Sequence, residues 1–79
     1  MKFVTFLTGG TEQIIIFPKN IQHSDFAEQI TRLSFGTMRA VSGGFVESGE
    51  CVGKSISLNM KSRPEDTKLL NKLIKNISG

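Results

Sequence analysis

The chain opens on a hairpin that has no polar side. Two runs, Phe3-Val4-Thr5-Phe6-Leu7 and Ile14-Ile15-Ile16-Phe17, flank Thr8-Gly9-Gly10-Thr11-Glu12-Gln13. A strand with one wet face alternates apolar and polar residues, so a continuous run of this kind asks for cover on both faces. Gly9-Gly10 predicts a two-residue turn, because the favoured hairpin turn needs positive φ at both central positions and glycine takes it without steric cost. Strands are expected over about residues 2–8 and 11–17, and Pro18 ends the ladder by removing a donor. This pairing places Phe3, Leu7, Ile14 and Ile16 on one face and Val4, Phe6, Ile15 and Phe17 on the other.

Seventy-nine residues make one domain, 1–79, with little material to shelter two apolar faces. A chain of this size buries only about 60–65% of the surface its unfolded form exposes, so stability belongs in the lower part of the ~5–15 kcal/mol range. Self-association would relieve both problems.

Downstream, Ser24 offers a helix N-cap, Asp25 and Glu28 place negative charge in a first turn, and Phe26, Ile30 and Leu33 recur at helical spacing beside Ala27. A helix follows over about residues 24–34, with Gly36 suited to its exit. The segment from Thr37 to Leu58 reads as a second hairpin, turning at Ser48-Gly49 or Gly49-Glu50. The first choice pairs Phe45 with Val52, Val41 with Ile56 and Arg39 with Leu58 on one face, and Val46 with Cys51, Gly44 with Gly53 and Ser42 with Ser55 on the other. Finally, Ser62-Arg63-Pro64-Glu65 fits a capping box, and Leu69, Leu70, Leu73, Ile74 and Ile77 form an apolar stripe over a helix of about residues 63–77. Leu70 or Leu73 changed to Ala should be among the worst substitutions.

The expected fold is therefore α+β in the order ββαββα, two antiparallel hairpins forming one sheet with two helices packed on it. Both helices are placed on one sheet face. The opposite face then presents Val4, Phe6, Ile15 and Phe17 as a protein interface, for a homodimer or for another protein. In the rival arrangement one helix covers each face and no patch remains.

Composition narrows the chemistry. Cys51 is the only cysteine, which leaves no internal disulfide and no cysteine-rich zinc site. The only histidine is His23, too few companions for a metal site or a Cys-His pair with an orienting third group. Gly49 and Gly53 are separated by three residues where the phosphate-binding loop GxxxxGK[ST] needs four, and Lys54-Ser55-Ile56-Ser57-Leu58 reads as strand where that loop must open a helix. Glu47 with Glu50 and Glu65 with Asp66 flank a turn and a helix start, positions with structural explanations. No catalytic residue, metal or cofactor is expected, and no small-molecule substrate. No stretch reaches the ~20 apolar residues of a membrane span, and the opening run breaks too early for a secretory signal. A cytoplasmic location is the expectation.

Charge is uneven. Residues 1–53 carry four basic and five acidic side chains, while residues 54–79 carry Lys54, Lys61, Arg63, Lys68, Lys72 and Lys75 against Glu65 and Asp66. This basic end is either a solvated helix face or a phosphate-binding surface. Nucleic-acid binding through these six residues is the alternative function, but without Trp or Tyr there is no obvious stacking platform, so such binding would be salt-sensitive and indifferent to base sequence.

The stretches Gly44-Phe45-Val46, Cys51 to Leu58, Ser62-Arg63-Pro64-Glu65-Asp66-Thr67 and Leu69-Leu70, with the opening hairpin and its Ile-Phe-Pro ending, resemble small uncharacterised proteins of lambdoid phages and prophages. The resemblance covers most of the chain. It implies a bacterial cytoplasm and an accessory role against host protein or nucleic acid, and it implies no catalytic residue.

Overall fold

Gly9 and Gly10 adopt φ of +55° and +81°, and the turn they make pairs β1 (Lys2–Thr8) with β2 (Thr11–Phe17) in the expected register, Phe3 opposite Ile16 and Val4 opposite Ile15. The computed structural model describes residues 1–78. Helix α1 (His23–Leu33) follows, then β3 (Arg39–Glu47) and β4 (Glu50–Val52), a two-stranded ribbon of β5 (Lys54–Ser55) and β6 (Met60–Lys61), and helix α2 (Pro64–Ser78). The domain is α+β, with a four-stranded antiparallel sheet in the order β2-β1-β3-β4 and the ribbon as a second sheet.

Strand β1 is central, which explains why its middle residues are buried on both sides: Phe3, Val4, Thr5 and Phe6 are all sealed from water. The helices divide the two faces between them. Helix α1 brings Ala27, Phe26 and Ile30 onto Val4, Phe6, Phe17 and Ile15, with the Phe26 ring stacked on Phe17 at 4.1 Å between centroids. Helix α2 brings Leu70 onto Phe3, Cys51, Ile14, Ile16 and Val46. The expectation of both helices on one face is thus corrected: the uniformly apolar hairpin is a sandwich filling, and covering both of its faces removes about 1.5–3 kcal/mol worth of exposed apolar surface for each large side chain fully buried.

The second hairpin holds its predicted turn but not its predicted length. Ser48 and Gly49 occupy the turn at φ +50° and +78°, and Phe45 pairs with Val52 and Val46 with Cys51. At Gly53, φ +73° swings the chain out of the sheet, so Val41, Ser42 and Arg39 do not meet Ile56, Ser55 and Leu58. Along its other edge β3 pairs with β1, Thr5 opposite Ser42 and Phe3 opposite Gly44. Gly44 is closely hemmed in: a Cβ at that position would lie 2.6 Å from the Val52 carbonyl oxygen and 3.2 Å from the Phe3 ring.

Caps also differ from expectation. Gln22 occupies the N-cap of α1 without a side-chain bond; the Ser24 amide is instead satisfied by the Ser57 hydroxyl at 3.1 Å. At α2 the reciprocal carboxylate is Asp66, one residue past Glu65, and it accepts the Arg63 amide at 2.8 Å. Helix α2 is pinned at its first turns, so Ile74 and Ile77, expected in its buried stripe, are exposed, as is Leu33 at the end of α1.

Helix α1 ends in a Schellman motif, with the Gly36 amide on the Thr31 carbonyl at 2.8 Å and the Phe35 amide on the Arg32 carbonyl at 3.1 Å. The left-handed position of that motif is held by Phe35 at φ +54°, with its ring 94% exposed. A side chain in this region is strained by about 1–2 kcal/mol and gains nothing from packing here. Phe35→Gly is expected to raise stability by about 1 kcal/mol, a rise in Tm of about 4–8 °C. An unchanged or lower Tm would mean the ring is held by contacts that its exposure does not reveal.

Candidate functional site

The sheet face predicted as an interface is not presented. Val4, Phe6 and Phe17 are 0, 0 and 2% exposed and Ile15 is half-buried beside them, because α1 already lies on that face. What the strand order leaves open is an edge. Strand β2 pairs only with β1, and seven residues of it run along the margin of the sheet. Since Thr8 and Thr11 close a two-residue turn, Thr11, Gln13, Ile15 and Phe17 direct their backbone groups at β1, and Glu12, Ile14 and Ile16 direct theirs outward. Among the described residues no other backbone partner meets them. The opposite margin, β4, is three residues long.

A cleft of about 390 Å³ runs beside this edge, lined by Glu12, Ile14, Leu69, Lys72, Leu73 and Asn76 among others. Its floor is apolar, from Ile14, Leu69 and Leu73, and its rim is polar. Helix α2 is held at the correct distance by a buried ionic knot. The Asp66 carboxylate, fully buried, accepts the Thr5 hydroxyl, the Ser42 hydroxyl and Arg63 Nη2, each at 2.8 Å. Arg63 also grips Glu12 of β2 through both terminal nitrogens, at 2.7 and 3.3 Å. Three strands and the helix start are therefore tied to two side chains. Burial opposes the charge on Asp66, but Arg63, Ser42, Thr5 and the Arg63 amide overcome it and hold the carboxyl below its ordinary range. Glu12 and Asp66 in turn raise the Arg63 guanidinium above its usual value.

Of the basic residues named from sequence, Arg63 is consumed by this knot and is no phosphate donor. Lys54 and Lys61 face each other across β5 and β6 on a separate part of the surface. Lys68, Lys72 and Lys75 share the outer side of α2 at i, i+4, i+7 spacing; all three are exposed, and none is in an ion pair among the described residues.

Cys51 and His23 lie on opposite faces of the sheet. His23 is buried under α1, donating Nε2–H to the Gly44 carbonyl at 2.8 Å with Phe17 and Phe45 against its ring. Cys51 sits under α2, where burial and the Asp66 charge outweigh the Thr67 hydroxyl and push its thiol up to about 11. At pH 8 the folded protein is expected to react with a thiol reagent on the order of 100-fold more slowly than the unfolded chain, from the lower thiolate fraction. Equal rates, followed by absorbance of the released chromophore, would show the thiol to be open. Among the described residues no group of three His, Cys, Asp or Glu side chains is placed to hold a metal ion, and no helix is long and apolar enough to cross a membrane. Lys54-Ser55 enters a strand and opens no helix, so the phosphate-loop geometry is absent there.

No family model, curated protein or solved structure matches this chain. The open edge was missed because it depends on strand order. One signal was present: β2 carries Glu12 and Gln13 where the interior of β1 has no charge, the pattern of an edge against a centre.

Proposed function

We propose that this chain is a small non-enzymatic accessory protein of the phage or prophage type, acting in a bacterial cytoplasm by binding protein through the margin of its sheet. The observation that carries the reading is the unpaired outward edge of Glu12, Ile14 and Ile16 on a seven-residue strand. An exposed edge of that length is a template for strand addition, in which main-chain hydrogen bonds supply affinity and flanking pockets supply selectivity. The test is retention of bacterial proteins, after nuclease treatment, by the wild type and by Ile14→Pro. Proline at this position removes an outward donor and leaves the β1 ladder bonds in place. The reading expects proteins held by the wild type and released by the variant. An identical set on both, with the variant's fold verified by amide spectra, would rule the edge out.

The alternative, nucleic-acid binding, draws on the lysine row of α2. It expects the retained material to be lost on nuclease treatment and binding to fall steeply with salt.

A further inference from the structure

Resting on the reading of β2 as a docking edge, we infer that the segment it takes is acidic: an extended chain in the cleft between β2 and α2, with an apolar side chain on Ile14, Leu69 and Leu73 and a carboxylate beside Lys72. A strand added to β2 must run alongside α2, because Ile14 and Leu69 line the same cleft. Side chains of an added strand alternate in direction, so every second one enters the cleft and the others face solvent near Gln13. The apolar floor accepts one of these, and Lys72 on the rim meets its neighbour two residues along.

Charge decides the occupant. Lys68, Lys72 and Lys75 have no ion-pair partner among the described residues, and Glu12, the acid that lines the cleft, is already neutralised by Arg63. The helix side therefore carries positive charge with no internal counterpart. A second copy of the chain is the poorer occupant: antiparallel pairing of β2 with its own symmetry mate puts like faces on the same side, which sets two lysine rows next to each other. A phosphate backbone is poorer too, since the outward edge alternates donors with carbonyl acceptors that repel an anion, and the cleft floor is apolar.

The experiment titrates isotope-labelled protein at low salt with a short, end-blocked peptide of alternating Glu and Val, and separately with its Lys and Val counterpart. The Glu peptide is expected to shift the amides of Glu12, Ile14 and Ile16 and to bind about tenfold or more tightly than the Lys peptide. Reversing the charge at Lys68, Lys72 and Lys75 together should invert that preference. These positions are exposed, so the triple variant keeps the fold even if Ile14→Pro does not. Equal shifts from both peptides would overturn the acidic partner and leave the edge reading intact. No shift at β2 from either peptide would overturn both. Shifts of the β2 amides with protein concentration alone would assign the edge to a second copy, and shifts confined to the α2 lysines on adding duplex RNA would assign that row to nucleic acid; either result overturns the inference.

Discussion

Asp66→Ala is expected to unfold the protein, or nearly so. The substitution removes the acceptor of four hydrogen bonds at 2.8 Å and leaves the Thr5 and Ser42 hydroxyls without a partner in a sealed space. Arg63 keeps Glu12 but loses its second anion, and the first turn of α2 loses the carboxylate that holds the Arg63 amide. Removing one partner from a buried ionic cluster costs about 3–5 kcal/mol, which is most of the stability of a domain this small. Urea unfolding followed by circular dichroism measures it, and a loss below about 1 kcal/mol would mean that water replaces the carboxylate. The same group sets the acid limit. Because folding lowers the Asp66 pKa, its contribution is complete above the unfolded carboxyl range and fades as pH falls towards the lower folded value, so stability should decline from roughly pH 5 downward. Asp66→Asn should be less stable at neutral pH and should flatten this decline. A wild-type curve that stayed level to pH 2 would place the titration elsewhere.

Leu70→Ala comes next in size. Leu70 is fully buried on Phe3 and Cys51, and the cavity left by a truncated leucine costs about 3–5 kcal/mol when its surroundings cannot close in. Leu73, one turn on, is half-buried and lines the open cleft, so its truncation meets solvent on one side and is expected to cost about 1–2 kcal/mol. The sequence pattern ranks the two leucines together, and only the docking of α2 separates them. Equal losses in a denaturant titration would show that the helix sits deeper over the sheet than its first turns indicate.

Much of the local structure was legible. Gly9-Gly10 announced a turn and its register, and with it the sorting of Phe3 and Ile16 to one face and Val4 and Phe17 to the other. Both helices lie within a residue or so of their expected spans, because spacing of Phe26, Ile30, Leu70 and Leu73 and the acidic first turns are properties of neighbouring residues. The second hairpin was legible only as far as Val52. Past that point the expectation set Gly53 opposite Gly44 in a continuing strand, whereas it turns a left-handed corner, and nothing within a few residues distinguishes the two.

The apolar runs Phe3–Leu7 and Ile14–Phe17 alone dictated that β1 and the second half of β2 would be sheltered on two faces, since neither run alternates with charged side chains. Which surfaces would do the sheltering was settled by tertiary structure: β3 pairs with β1 along the edge that its own hairpin does not use, leaving β2 as a margin, and Asp66 draws α2 onto the face that α1 does not occupy. Strand order and helix placement arise from contacts between residues far apart in the chain, Thr5 with Asp66 and Glu12 with Arg63, and such pairs leave no periodic trace in the sequence between them.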